Sequence, residues 1–145
     1  MSIIKQLIFS LLSTIGFAVL FSIPKDSIFK SGVVGAIGWI GFYISSIYLK
    51  SNIAGTFFAA ITVGVLGELL ARYYKKPATV YIVPGIVPLV PGAGMYYTML
   101  ALVENDFFLA ANKGTETFFI AAAISIGVII STSLSKSIKR VKYKN

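Results

Sequence analysis

The stretch that most constrains this chain is Pro77–Val103, a run of 27 residues that carries no charge. Eleven residues at its centre hold three prolines and three glycines: Pro84, Pro88, Pro91, Gly85, Gly92 and Gly94. Proline inside a helix removes a backbone donor and clashes with the preceding turn. Unpaired backbone is tolerated at membrane depth only where protein buries it or water lines it. The run therefore predicts a membrane span with a functional break beside a cavity, and the alternative is a simple kinked helix.

The composition places the whole chain in a membrane. Of its 145 residues, 57% are hydrophobic and 12% are charged, whereas a soluble domain carries about 25% charged residues. Cysteine and histidine are absent, which excludes disulfides, thiol chemistry and the usual zinc and haem ligand sets. The sequence shows neither a catalytic triad nor a phosphate-binding loop, so we expect no enzyme and no cofactor.

Five apolar runs follow one another, and each reaches the length of roughly 17 residues or more that a membrane helix needs. We therefore predict an all-α integral membrane protein of one domain, 1–145, with five transmembrane helices, the fourth of them broken. The predicted spans are about 6–24, 31–49, 51–70, 77–103 and 117–135, followed by a basic tail, 136–145. The first run is kept as a span because no small-residue cleavage site follows it. Glu104–Glu116, the longest outer segment, is expected to be a solvated loop.

The basic residues predict the orientation. With five crossings, ten of the 13 lysines and arginines fall on one side, and Lys5, Lys50 and Lys113 fall on the other. Positive loops stay in the cytoplasm, so we expect the N-terminus outside and the C-terminus inside. If Pro77–Val103 only dipped into the bilayer and returned, the split would be six against seven, which favours a full crossing. The formal charge of +8 is thus explained by basic residues that set the orientation in the membrane, and it does not require a nucleic-acid partner.

Small residues recur at helical spacing in three of the spans. They are Gly32, Gly35, Gly38 and Gly41; Ala60 and Gly64, followed by Glu68; and Ala123, Gly127 and Ser131. Such rows let helix backbones approach closely within lipid, so they predict packing faces. We expect these faces to offer more surface than one five-helix bundle needs, and hence to leave a surface for a partner.

Glu68 and Arg72 are the ionisable candidates for a functional role. Arg72 lies four residues after Glu68, and helical spacing stacks the two side chains. An ionisable residue in a span is a functional candidate, here for proton coupling or ligand binding. The alternative is an interfacial ion pair that anchors the end of the helix.

Aromatic residues flank the break. Tyr96 and Tyr97 directly follow Gly94, so a hydroxyl there is a candidate to face a polar ligand. Tyr81 is best explained as an interfacial tyrosine. Trp39 is most simply a packing residue.

Three motifs resemble the threonine/serine exporter family. They are Gly67-Glu68-Leu69-Leu70-Ala71-Arg72, then Lys76-Pro77-Ala78-Thr79, then the run from Ile82 to Gly92 with Met95-Tyr96 after it. The likeness is dense from Gly67 to about Met99. In length and span number the chain resembles the short type that corresponds to the C-terminal half of the full-length exporter.

The resemblance implies a function. The family exports threonine and serine, some split members are linked to dicarboxylates such as succinate, and transport is expected to use the membrane gradient without ATP. It also implies a larger membrane subunit, equivalent to the N-terminal half, as partner. We therefore expect the small subunit of a secondary exporter for threonine, serine or related small amino acids. The alternatives are an exporter subunit for small dicarboxylates and a non-transporting membrane scaffold; a channel is a third option.

Within that picture, the break at Pro84–Gly94 is expected near the midplane. The half-helix that starts near Gly92–Gly94 would direct free N–H groups at a substrate carboxylate, as helix N-termini do for anions. Glu68 and Arg72 would act near the inner mouth. The substrate or transport candidates are Glu68, Arg72, Pro84, Gly85, Pro88, Pro91, Gly92, Gly94 and Tyr96; we expect no metal site.

Overall fold

The computed structural model describes residues 3–142, with side chains described up to Ile138, and its regular structure is helical throughout. The helices are α1 (Ile3–Leu20), α2 (Lys25–Leu49), α3 (Asn52–Tyr74), α4 (Thr79–Gly85), α5 (Gly92–Val103) and α6 (Phe107–Lys142), with a 3₁₀ turn at Val87–Leu89 between α4 and α5. The all-α prediction is confirmed. The last residues of the predicted basic tail, 143–145, lie outside the described residues.

Four of these helices, α1, α2, α3 and α6, are long and apolar enough to cross a membrane. The fifth candidate is the pair formed by Thr79–Leu89 and Gly92–Val103, which are bent by 50° at the break between them. The predicted break in the fourth span is therefore present, because the proline-rich segment ends one helix and a second begins at Gly92.

The broken segment runs from one end of the bundle to the other. The α3 and α6 helices are parallel, because a Cβ at Gly127 would contact Ala60 and one at Gly64 would contact Ser131, while Ser135 donates to Glu68. Because α3 precedes the broken segment and α6 follows it, parallel helices require the chain to cross between them. This geometry matches the predicted full crossing and does not fit a dip that returns to its own side.

The expected surplus of small-residue faces is wrong. A Cβ at Gly35 would meet Thr14 of α1, and one at Gly38 would meet Val63 of α3. The row on α3 packs against the row on α6, where a Cβ at Gly127 would lie 2.8 Å from the Cβ of Ala60. The close approaches that these rows permit are thus used within the chain, and they leave no evidence for a partner on those faces.

The predicted outer loop Glu104–Glu116 is also wrong, because α6 begins at Phe107. Asp106 caps this helix, since its Oδ1 accepts the N–H of Leu109 at 2.9 Å. Lys113 and Glu116 then form a salt bridge at 4.0 Å on one face of the helix. Two of the four charges that suggested a loop, Lys113 and Glu116, therefore belong to the exposed face of a helix, and Glu104 and Asp106 lie in the short link before it.

The core lies where α2, α3, α4 and α6 meet. Its buried members are Val34, Ala59, Ala60, Val63, Ala71, Tyr81, Leu89 and Ile124. Most of them are small, as expected for helices that approach closely. The α4 helix packs on α2 and α3, whereas α5 packs on α6.

Candidate functional site

The first half of the broken segment is fixed to α2 by a polar cluster, which we call the Tyr81 cluster: Asp26, Ser27, Ser31, Lys76 and Tyr81. Ser27, Ser31 and Tyr81 are fully buried. The hydroxyls of Ser27 and Tyr81 lie 3.3 Å apart, and Lys76 Nζ donates to Ser27 Oγ at 3.0 Å. The prediction that Tyr81 is an interfacial residue is therefore wrong, because its ring and hydroxyl are enclosed by protein.

An ion pair between Lys76 and Asp26 covers the exposed side of this cluster. Asp26 is exposed and precedes the predicted span that begins at Ser31. The hydrogen bond from Lys76 lowers the pKa of the Asp26 carboxyl below its ordinary value. The pair joins the start of α2 to the residue just before Pro77.

The Ser31 hydroxyl replaces a helix hydrogen bond that Pro84 cannot make. In a regular helix the N–H of residue 84 would donate to the carbonyl of Val80, but proline has no N–H. The Ser31 hydroxyl lies 3.0 Å from that carbonyl and 2.8 Å from the carbonyl of Ser27, which share it as a donor. The first proline of the break is thereby accommodated in the buried interior without leaving the Val80 carbonyl unpaired.

A small cavity of about 190 Å³ lies at the second half of the break. Its wall includes the backbone from Pro88 to Ala93, and across from it Asn52 and Thr56 of α3. Space is open at Gly92, where an added Cβ would have no neighbour within 4 Å. We call this space the break cavity; no charged residue lines it.

The start of α5 supplies backbone donors to this region. The N–H of Gly92 donates back to Val90 at 2.8 Å, and the N–H of Met95 donates to Pro91 at 3.0 Å. The N–H groups of Ala93 and Gly94 lie between them, in the first turn, where a helix has no carbonyl of its own to offer. Such a turn carries a partial positive charge and can bind an anionic group.

Trp39 and Pro88 separate the break cavity from a second one. This second cavity measures about 200 Å³ and is lined by Gln6, Phe9, Ser10, Trp39 and Pro88. The indole Nε1 of Trp39 donates to Gln6 Oε1 at 3.1 Å, which ties α2 to α1. Trp39, predicted as a packing residue, therefore also forms the wall between two cavities at the break.

The two ends of the break lie at different positions along the bundle. A Cβ at Gly85 would lie 3.0 Å from both Val34 and Val63, and Val63 is at the middle of α3. Gly92 lies instead near Asn52, the first residue of α3. The break thus begins at the middle of the bundle and ends near the end that is predicted to face outward.

Glu68 and Arg72 meet at Ser135 of α6. Ser135 Oγ donates to Glu68 Oε2 at 2.9 Å, and Arg72 donates to both the hydroxyl and the carbonyl of Ser135. Among the described side chains, salt bridges join Lys76 to Asp26 and Lys113 to Glu116, and Glu68 and Arg72 do not form one. The two predicted residues thus share a partner on α6, which joins α3 to α6 at one end of the bundle.

Other predicted residues are placed apart from these groups. Tyr96 is 63% exposed and Tyr97 is 53% exposed, and neither lines the break cavity. Gly94 packs against Thr117 of α6, where its missing side chain allows α5 and α6 to approach. In the part of the chain whose side chains are described, no group of three or more acidic residues could hold a metal ion.

Sequence reasoning missed several residues of these sites, among them Ser27, Ser31, Asn52, Thr56 and Ser135. One signal was available, since buried Ser27 and Ser31 lie one helical turn apart at the start of an apolar helix. Asn52 and Thr56 have the same spacing at the start of α3. That spacing marks a shared helix face but not the segment that the face contacts.

Comparisons with known proteins identify the family of this chain. The family model described as "Threonine/Serine exporter, ThrE" matches residues 6–134. This chain belongs to the threonine/serine exporter family. An uncharacterized protein of Haemophilus influenzae is 24% identical over 136 residues, which cover 90% of this chain and 45% of that protein. A threonine/serine exporter of Corynebacterium glutamicum is 24% identical over 115 residues, covering 79% of this chain and 23% of that protein.

The chain thus spans less than half the length of these curated relatives. No solved structure matches it. Family membership and the apolar helices identify a multi-pass membrane protein from a family of amino-acid exporters.

Proposed function

We propose that this chain is the small membrane subunit of a secondary exporter for threonine, serine or a related small amino acid. The observation that carries the proposal is the break cavity, where the first turn of α5 and the side chains of Asn52 and Thr56 meet. Transporters bind substrates where discontinuous helices present free backbone groups. Membership of the threonine/serine exporter family supports the same class of substrate.

The chemistry of the break cavity suits a zwitterion. The N–H groups of Ala93 and Gly94 can donate hydrogen bonds to the carboxylate of the substrate. The side-chain carbonyl of Asn52 can accept a hydrogen bond from the ammonium group of the same substrate. The cavity lining is uncharged, which matches an amino acid of zero net charge. A dicarboxylate would bring two negative charges without a counter-charge in the lining, at a large desolvation cost. Its volume, about that of six waters at roughly 30 Å³ each, fits a small molecule.

Glu68, Ser135 and Arg72 are proposed to control the opposite, inner end. They join α3 to α6 beside the point where α4 begins, so a change in the charge of Glu68 would alter the contact between these helices. In this proposal Glu68 exchanges a proton during transport. The alternative is that the three residues only anchor the two helices.

A Glu68→Gln substitution separates these roles. If Glu68 exchanges protons, export should be abolished while the amount of protein in the membrane is unchanged. If it is only an anchor, the amount should fall while export per molecule is retained. Measuring both quantities on the same cells decides between them.

A larger membrane subunit is part of the proposal. Support comes from the relatives, of whose length this chain covers only 45% and 23%. The remainder of the transport pathway would come from the partner. We place the N-terminus outside and the C-terminus in the cytoplasm, following the distribution of basic residues.

The proposal is tested with vesicles that contain this chain alone, the larger subunit alone, or both. We expect gradient-driven efflux of labelled threonine or serine from the third set only. Asn52→Ala should reduce this efflux by about tenfold, as expected for the loss of a hydrogen bond to a charged substrate group, and Asn112→Ala, an exposed asparagine on α6, should not.

Three results would contradict parts of this proposal. Full efflux from the larger subunit alone would leave this chain a scaffold. Full efflux from this chain alone would remove the partner. Efflux of labelled succinate in preference to threonine would overturn the zwitterion assignment for the break cavity.

A further inference from the structure

A further cavity lies away from the break, at the end of the bundle that is predicted to face inward. It measures about 630 Å³ and is bounded by the last turns of α3, the start of α4 and the last third of α6. Four cations line it, Arg72, Lys75, Lys76 and Lys136, with a single carboxylate, that of Glu68. We call it the basic cavity.

The positive charge of the basic cavity is only partly neutralised. Lys76 pairs with Asp26, and Arg72 is directed at Ser135. Among the described residues, no acidic group lies within salt-bridge distance of Lys75 or Lys136. With Glu68 and Asp26 counted against four cations, the region keeps an excess of two positive charges.

The backbone at the end of α3 holds Lys75 in position. Lys75 adopts a left-handed conformation, φ 53°, as the cap of α3, and the N–H of Lys76 donates to the carbonyl of Ala71 at 2.9 Å. Pro77 then prevents the helix from continuing. The chain turns sharply here, and two adjacent lysines line the same cavity.

The surroundings of the basic cavity are amphiphilic. Two alanines, Ala71 and Ala78, form part of its lining. Exposed apolar side chains lie close in sequence to the lining residues, namely Leu69 and Tyr73 on α3 and Leu134 and Ile138 on α6. A free anion would use only the charges, whereas a phospholipid also has acyl chains to place against these apolar side chains.

We propose that the basic cavity binds the phosphate group of an anionic phospholipid, with Lys75 and Lys136 as its main contacts. Basic pockets between membrane helices on the cytoplasmic side bind such head groups, and each lysine near an anionic surface contributes appreciably to the affinity. The lipid bridges the end of α3, through Lys75, and α6, through Lys136, which both line the cavity. This inference does not depend on the transported substrate.

The test compares lipids on the purified full-length chain in neutral detergent. Phosphatidylglycerol and phosphatidylcholine with identical acyl chains are titrated, and bound lipid is counted by native mass spectrometry. We expect phosphatidylglycerol to bind at least tenfold more tightly. The double variant Lys75→Gln/Lys136→Gln should lose about 30-fold in this affinity, the effect of two basic contacts.

The control is Lys50→Gln/Lys113→Gln at the other end of the bundle. Lys50 is a suitable match because it also caps a helix in the left-handed conformation, with φ 49°. Lys113, like Lys136, lies on α6. The control removes the same net charge, and we expect it to retain full affinity for phosphatidylglycerol.

Two outcomes would overturn the proposal. Equal losses in the two double variants would mean that lipid responds to overall charge and not to this cavity. Displacement of phosphatidylglycerol by millimolar inorganic phosphate would make the cavity a site for a free anion. If the double variant does not fold, Lys136→Gln alone, at an exposed position, provides the same comparison.

Discussion

The two halves of the broken span are both apolar and uncharged, but their surroundings are very different. In α4, four of seven residues are buried: Tyr81, Ile82, Pro84 and Gly85. In α5, Ala101 is the one buried residue among twelve. The first half is held by α2 and α3, and the second half rests on α6.

The difference shows how a membrane protein can keep an irregular backbone. Where the chain is bent by proline inside the bundle, neighbouring side chains supply the missing hydrogen bonds, as Ser31 does for Val80. In α5, which packs mainly on α6, outward side chains such as Met95 and Tyr96 are more than half exposed. The break is therefore a junction between a fixed half-helix and one with a single neighbour.

The largest effect should follow from removing the junction itself. Pro88→Ala/Pro91→Ala restores two backbone donors and favours one continuous helix through the break cavity. We expect normal insertion and loss of export, measured as threonine efflux in vesicles with the larger subunit. Export at the normal rate would show that the bend is a tolerated kink with no role in transport.

The next effect contrasts two glycines, one in each half. Gly85→Leu places a large side chain against Val34 and Val63, where even a Cβ lies 3.0 Å from each. We expect the free energy of unfolding to fall by about 3 kcal/mol, the upper range for overpacking. In Gly92→Leu the new side chain faces open space, so this variant should leave the free energy of unfolding nearly unchanged.

Both changes in the free energy of unfolding are to be measured by unfolding the purified chain with a denaturing detergent in mixed micelles. A similar loss in both variants would contradict the contrast between the halves. Gly92→Leu should nevertheless reduce export, because its side chain would enter the break cavity.

A smaller effect contrasts two hydroxyls that donate to helix carbonyls. Ser31→Ala removes the hydroxyl that donates to the partly buried carbonyl of Val80, at a cost of about 1–3 kcal/mol. In α5, Thr98 Oγ1 donates to the Gly94 carbonyl at 2.7 Å, but that carbonyl also has the helical N–H of residue 98 as donor. Thr98→Ala should therefore change the unfolding free energy by a few tenths of a kcal/mol at most. Equal costs in the same unfolding measurement would exclude a special role for Ser31.

The smallest effect concerns two tyrosines. Tyr81→Phe removes a buried hydroxyl from Ser27, which retains its bond from Lys76, so we expect a loss of about 1 kcal/mol. Tyr96→Phe removes an exposed hydroxyl and should stay within about 0.5 kcal/mol of the parent. A larger loss for Tyr96→Phe would contradict the exposed position of its hydroxyl.

Errors in the sequence predictions have a common origin. The glycine rows were correctly predicted to pack closely, but their partners within the chain, such as Thr14 for Gly35, were not predictable. Hydropathy describes one segment at a time and does not say which faces of different segments meet. The same limit applies to Tyr81, which an interfacial rule placed at the lipid and the fold placed in the core.

The distribution of charged residues predicted which segments cross the membrane, but it was less informative about local secondary structure. Lysine and arginine predicted that the fourth segment crosses, and the parallel arrangement of α3 and α6 agrees. The charges of Glu104–Glu116 suggested a loop, yet Lys113 and Glu116 lie on the exposed face of a helix. A count of charges therefore cannot distinguish a solvated loop from the exposed face of a helix.

The sequence alone determined the class, the apolar spans and the position of the break, because these follow from local properties: apolar length, the missing N–H of proline and the distribution of charge. The tertiary structure decided which residues meet. It placed Asn52 opposite Gly92, Ser31 beside Val80, and Ser135 between Glu68 and Arg72. Each of these contacts joins segments that are distant in the chain, and only the packing of whole helices sets their relative position and rotation.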